Sequence, residues 1–245
     1  MKYLVWMSFD GSSYSGYQKQ KHDANTIQEV VENKLSYLFS EKIDIYASGR
    51  TDKHVHALCM PFHFESNKII PLKNIKKALN EMLPLDIHIL SIKHVDDSFH
   101  ARFSSHHKSY VYKIINSDKI DPFKARYYTY VADKIDEELL KKAAKLFIGE
   151  YDFKNFTTNK KDEVDSFIKT IYDVKVNKSH NKYEITFDGS GFLRYQIRMM
   201  VGAILVVATH KKDISFITNM LNINCDSKCS YKAAPQGLYL KKVVY

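Results

Sequence analysis

From Lys2 to Val95 the apolar residues change period in an order that few folds accept. Lys2 to Phe9 alternates as a strand, and the Gly/Ser/Tyr/Gln stretch to Gln20 reads as a loop. Thr26 and Glu29 make a capping box, followed by Ile27, Val30, Val31, Leu35 and Leu38 at helical spacing. Ile43 to Ala47 and the half-alternating Ala57 to Phe64 read as strands. Leu72 to Met82 reads as a second helix and Ile87 to Val95 as a strand. Strand, helix, strand, strand, helix, strand is the order of a split βαβ unit.

A related order follows. Lys108 to Ile115 alternates as a strand. Ile135 to Phe147 carries Leu139, Leu140, Ala143 and Phe147 on one helical face, with Gly149 placed to close it. Ile168 to Val176 and Tyr183 to Asp188 are the next strands. A long helix from about Phe192 to Thr209, a shorter one near Ile214 to Leu221 and a strand from Leu238 to Val244 complete the series. The expected class is α+β, in two halves spanning 1–104 and 105–245, with the boundary near Ser104 and Ser105. Asn155 to Asp165 is polar and charged and reads as a mobile loop beside a substrate.

The charge balance bears on partners. Lys and Arg total 37 against 28 acids, a formal +9 that suits a polyanion but is shared by many merely basic surfaces. The 17 tyrosines offer stacking faces for unpaired bases, although most aromatics in any chain serve the core. The first residues alternate like a strand rather than forming a signal peptide. The longest apolar run, Met199 to Ala208, falls far short of a bilayer span, so a soluble protein is expected. Three cysteines make an odd count without a dense framework, pointing to a reducing compartment. Cys225 and Cys229 lack a matching second half-site, which argues against zinc.

Between the strands ending at Ala47 and starting at Ala57 lies Ser48-Gly49-Arg50-Thr51-Asp52-Lys53-His54-Val55-His56. It gathers a carboxylate, a guanidinium, two imidazoles and two hydroxyls between buried strands, where a fold can place reactive groups accurately. An ordinary hairpin would use Asp52 as a turn carboxylate and Arg50 as its surface partner.

The segment resembles the signature of the tRNA pseudouridine synthase A family, Gly-Arg-Thr-Asp, any residue, Gly-Val-His-Ala. Companions recur in family order: Phe9-Asp10-Gly11, Tyr14-Ser15-Gly16-Tyr17-Gln18, Thr26-Ile27-Gln28-Glu29, Phe99-His100-Ala101-Arg102-Phe103-Ser104 and Tyr110-Val111-Tyr112. Phe192-Leu193-Arg194-Tyr195-Gln196-Ile197-Arg198-Met199-Met200-Val201-Gly202 and Ala234-Pro235-Gln236-Gly237-Leu238-Tyr239-Leu240 complete the set, so the resemblance covers essentially the whole chain. It implies two related antiparallel-sheet halves, ferredoxin-like or RRM-like, with a central RNA-binding cleft. The implied activity is isomerisation of uridine to pseudouridine at positions 38, 39 and 40 of the tRNA anticodon stem-loop. The implied setting is a cytoplasmic homodimer that binds tRNA and needs no membrane, metal or cofactor.

Residue by residue, the resemblance makes Asp52 the nucleophile, Arg198 the helix arginine that pairs with it, and Tyr110 the tyrosine that stacks on the target base. Ile197, Met199, Met200 and Val201 around Arg198 point to burial, and a buried arginine wants a carboxylate. Arg50 is implied to enter the RNA stem or hold the base open, with bracing of the loop as its rival role. Lys53, His54, Arg102 and Lys108 are further substrate contacts, Arg102 and Lys108 forming part of a phosphate track with His106 and His107. Thr51 caps the loop, and His56 either meets phosphate or serves the structure. Two positions depart from the pattern. His54 replaces a glycine, in a place where glycine would permit positive φ. Lys108-Ser109 replaces the two basic residues often found before the tyrosine. Two other readings use the same residues: an inactive RNA-binding or tRNA-chaperone protein on this fold, and an Asp/Arg hydrolase, which would want a second carboxylate facing Asp52.

Overall fold

The structure is a computed structural model that describes residues 1–23, 25–222, 224, 225 and 227–245. It divides into two compact units, Met1–His106 with Tyr239–Tyr245, and His107–Leu238.

The first unit follows the order read from the sequence: β1 (Lys2–Phe9), α1 (Ile27–Phe39), β2 (Tyr46–Ala47), β3 (His56–Glu65), α2 (Leu72–Met82) and β4 (Ile87–Val95). β1 lies between β3 and β4, antiparallel to both, with Val5 opposite Phe62 on one side and Ile92 on the other. The short β2 pairs with Phe62 and His63 of β3. Ile27, Val31, Leu35 and Phe39 of α1 are all fully buried, and that stripe drives the helix onto the sheet. There Phe39 meets Phe64 edge-on at 5.5 Å, and Tyr3 stacks on Phe64 at 4.8 Å. Of the expected capping box one half is seen, Glu29 N donating to Thr26 Oγ1 at 3.4 Å. Val30 and Leu38 are only half-buried, whereas Glu32 is buried.

The second unit contains β5 (His107–Asn116), β6 (Thr129–Val131), α3 (Glu137–Lys145), β7 (Gly149–Asp152), β8 (Ile168–Ser179), β9 (Lys182–Gly189), α4 (Gln196–Ala208) and α5 (Ser215–Leu221). β5, β9, β8 and β7 form an antiparallel sheet in that order, with β6 parallel to β5. α4 is buried on nearly every side, as its continuous apolar run requires, and packs against α3. It starts at Gln196 rather than Phe192, because Tyr195 is left-handed (φ 62°, ψ 0°) and cannot continue a helix. α3 starts at Glu137, where the Asp136 side chain accepts from Leu139 N at 3.0 Å. Its cap is Leu146, and Gly149 opens β7 instead of closing the helix. The segment 155–165, expected as a loop, carries short 3₁₀ turns at Lys154–Phe156 and Lys161–Glu163.

The last strand, β10 (Leu238–Val244), brings the chain back to the first unit, where Tyr239 and Leu240 pair in parallel with His56 and Ala57. This differs from the division expected at 104/105. β2 covers only the far end of β3, so the backbone of His56 and Ala57 is left for β10 to satisfy. The α+β class stands. No helix among the described residues is long and apolar enough to cross a membrane.

His63 on β3 is 3% exposed and accepts from Ala101 N through Nδ1 at 3.2 Å. Burial, then the charges of His100 and Lys2, push its pKa from 6.5 down to about 4. The folded ring is therefore neutral where the unfolded one takes up a proton, so stability should rise as pH increases from about 4 to 6.5. Urea unfolding at pH 4.5 and 7 checks this; His63→Gln should narrow the gap between the two midpoints, and an unchanged gap would refute the assignment.

Candidate active site

The loop between β2 and β3 is fixed at both ends. Ser48 is fully buried, its N–H donating to Pro61 O at 2.9 Å. At the other end Val55 N donates to Asp52 O at 3.1 Å, closing a turn whose third residue, His54, has φ 65°. Histidine thus takes the left-handed conformation expected of the family glycine. Its imidazole has a structural contact as well, with Nδ1 2.7 Å from Ser12 O.

That contact joins the loop to a second one, residues 10–17, whose backbone lies against it. A Cβ on Gly11 would sit 2.0 Å from Val55 O. Gly16 has φ +108°, and a Cβ there would meet Thr51 O at 3.2 Å. Tyr17 N donates to Thr51 O at 3.0 Å, and Gly11 N donates to His56 Nδ1 at 3.1 Å. His56 is 2% exposed and stacks on Tyr239 at 4.6 Å, which gives it a structural role. The second loop is anchored in turn: Tyr14 Oη donates to Asp86 Oδ1 at 2.6 Å, and Asp10 N donates to Asp86 O at 2.9 Å. Burial, then the Asp86 carboxylate, raise the Tyr14 pKa. Glu32 braces the approach to the loop by accepting from Ile45 N at 3.1 Å and from Gln28 Nε2 at 2.8 Å. The tight fit leaves three buried hydroxyls, Ser12 Oγ, Tyr17 Oη and Thr51 Oγ1, with no hydrogen-bond partner among the described residues.

Asp52 is half-buried on this clamped turn, with Lys53 exposed beside it. Arg50 is exposed, and desolvation followed by the charge of Arg102 lowers its pKa. Two guanidiniums that disfavour each other's charge form a surface suited to an anion. Arg102 is also exposed, 5.6 Å from the ring of Phe103, itself 75% exposed.

In the second unit Lys108 and Tyr110 lie on β5, opposite Gly189 and Phe187, and both are half-buried. Tyr110 meets Phe192 edge-on at 5.3 Å. Tyr112, two residues on, is fully buried, its hydroxyl donating to Ala234 O at 2.7 Å. Residues two apart share a face of a strand, so the two tyrosines differ in exposure by their position along β5, Tyr110 lying nearer its start. Arg198 is 8% exposed; its Nε donates to Ala233 O at 2.9 Å, and Ala233 N donates back to Arg198 O at 2.9 Å. Around the ring of Tyr195 stand Arg194 at 5.1 Å, Arg198 at 5.2 Å and Lys232 at 4.5 Å. Sequence reading gave Tyr195 no role, since nothing in the residue type marks a left-handed start to a helix.

Cys59, Cys225 and Cys229 are free thiols. Among the described residues no group of three or more His, Cys, Asp or Glu side chains could hold a metal ion.

Residues 6–104 and 143–245 match the family model described as tRNA pseudouridine synthase, which leaves Lys108 and Tyr110 between the matched spans. Three curated relatives are each named tRNA pseudouridine synthase A. The protein of Exiguobacterium sp. is 38% identical over 98% of this chain and 96% of its own length. That of Staphylococcus saprophyticus is 35% identical over 99% and 90%, and that of Wolbachia pipientis 35% over the whole of both chains. Among solved structures, a chain from a Cbf5-Nop10-Gar1 complex aligns with 83% of this chain and 45% of its own, at 12% identity and a TM-score of 0.42. The family match and the curated relatives place the chain among the RNA-modifying isomerases. Within that class, it belongs to the tRNA pseudouridine synthase family.

The contact between the two loops yields a stability prediction. Gly11→Ala forces its methyl into the Val55 carbonyl and should cost about 1–3 kcal/mol, as overpacking does elsewhere. A urea midpoint equal to wild type would show that the loops can part freely.

Proposed function

We propose that this chain converts uridine to pseudouridine at positions 38, 39 and 40 of the tRNA anticodon stem-loop, with Asp52 as the nucleophile. The observation that carries the reading is Asp52 itself, the signature carboxylate of a family to which the whole chain aligns, on a turn clamped by backbone contacts. Net reaction breaks the N1–C1′ bond and forms C5–C1′; N1 gains a proton and C5 loses one. No electron is transferred to or from the base. A carboxylate can attack or stabilise the electron-poor carbon exposed in between, and extrusion of the base from its stack gives access to it.

Arg198 then orients Asp52 by charge-assisted hydrogen bonds, a role supported by its burial and by Ala233 and Tyr195, which restrict its guanidinium. Tyr110 stacks on the uracil, supported by its half-exposed ring braced by Phe192. Arg50 enters the RNA stem or holds the target base open, Arg102 and Lys108 hold the RNA backbone, and Lys53 and His54 add further contacts to the substrate. The formal +9 charge supports a polyanionic substrate. The enzyme works in the cytoplasm as a homodimer, with one tRNA spanning both subunits.

Tritium release from tRNA transcripts containing 5-tritiated uridine, followed by mapping of the product, tests the reaction and its targets together. Release with pseudouridine at 38–40 is expected, and modification confined to other positions would overturn the assignment. Tyr110→Phe should retain most turnover because the stacking face remains, while Tyr110→Ala should lose at least about tenfold. If neither variant changes turnover, Tyr110 is not at the base.

A further inference from the structure

A concave feature lies wholly within the second unit. It is a hollow of 690 Å³, within the range of small-molecule sites and large enough for a nucleotide. Its lining includes the lysines 154, 160, 161 and 228 and, among the described residues, no carboxylate. Three acids, Asp162, Glu163 and Asp165, lie in the segment between the lining residues Lys161 and Phe167; Asp162 and Asp165 are exposed, and Glu163 accepts from Lys160 N at 3.1 Å and Asn159 Nδ2 at 3.2 Å. The apolar lining consists of buried Met199, buried Cys229 and the half-buried ring of Phe167.

The walls are held firmly. Asn155, 2% exposed, donates to Met220 O at 3.0 Å and Cys225 O at 2.8 Å. Thr157, 1% exposed, donates to Arg194 O at 2.9 Å, and Asn159 Oδ1 accepts from Arg194 N at 2.9 Å. These bonds tie the segment after β7 to the turn that leads into α4. The hollow therefore adjoins the helix of Arg198, whose immediate neighbour, Met199, is part of its lining.

Lys228 Nζ is taken up by the carbonyls of Lys154 and Thr157, which leaves Lys160 and Lys161 beside Phe167 in one lining, and cations with an aromatic ring are what an unpaired nucleotide requires, phosphate on the former and base on the latter. We propose that this hollow binds an unpaired nucleotide of the tRNA substrate, its base against Phe167 and its flanking phosphates on Lys160 and Lys161. The proposal rests on the reading of the chain as a tRNA-modifying enzyme and adds a second point of attachment outside the residues assigned above. Such a site fixes which nucleotide of a flexible loop is presented to the reacting groups.

Filter binding of a tRNA transcript over a range of salt concentrations tests it without turnover. Lys160→Gln with Lys161→Gln should weaken binding at least about fivefold and reduce the slope of log affinity against log salt by about 2. Phe167→Leu, which keeps the apolar filling but removes the ring, should weaken binding at least about fivefold with the slope unchanged. Lys142→Gln with Lys145→Gln on α3 supplies the same charge change away from the hollow and should stay within about twofold. If both hollow variants behave like the α3 pair, the proposal is overturned. A UMP titration separates the other source of the same chemistry: if the hollow variants lose UMP but keep tRNA, the ligand is a free nucleotide and the proposal fails. Wild-type protein that binds no tRNA at all would overturn the proposed function together with it.

Discussion

The arrangement of the candidate active site depends on the close approach of two backbone segments in the first unit. At Gly11 and Gly16 the chain lies so near Thr51 and Val55 that a side chain at either glycine would enter the space of the opposing carbonyl. Contact of peptide on peptide has little freedom to rearrange, because neither side offers a rotamer. Asp52 and His54 lie between the contact points, and that is how a loop acquires the positional accuracy of a strand. The anchors behind the clamp follow from it: Tyr14 on Asp86, Glu32 on the backbone of Ile45, and Ser48 on Pro61. The three buried hydroxyls without a partner among the described residues, on Ser12, Tyr17 and Thr51, are an energetic cost of the tight fit.

The second unit solves a different problem. Arg198 sits on a helix with almost no exposed face, and burying a guanidinium is costly unless it is hydrogen-bonded. Ala233 answers with a reciprocal pair of bonds, and Tyr195 offers a ring face at cation–π distance. The left-handed turn at Tyr195 places that ring beside three cations and also ends the loop that Thr157 and Asn159 grip. A single backbone irregularity thus shapes both the surroundings of Arg198 and one edge of the lysine-lined hollow.

Much of this was legible in the sequence because it is written locally. The limits of β1, α2, β4 and β10 follow from alternation, helical spacing and Gly/Pro punctuation, and the 48–57 segment stands out for its density of reactive groups. Contacts between residues far apart in the chain leave no such trace. Nothing local in the sequence pairs Glu32 with the Ile45 N–H or Asp86 with the Tyr14 hydroxyl. β10 leaves the second half because part of β3 lacks a partner, which no property of β10 itself discloses. The start of α4 was missed because a tyrosine with positive φ is locally unfavourable and is held by its surroundings. At the candidate site the motif residues were readable, whereas the brace from His54 to Ser12 and the hollow beside α4 needed the fold.

In the proposed reaction the charge on Asp52 performs the chemistry and the surrounding clamp only positions it. Asp52→Asn keeps the shape and removes the charge, so purified variant and wild type can be compared for tritium release and for tRNA affinity in the same buffer. A fall in kcat of at least about a thousandfold is expected, with the tRNA Kd within about twofold, since loss of an essential nucleophile removes an interaction made in the transition state. Tritium release within about tenfold of wild type would contradict it.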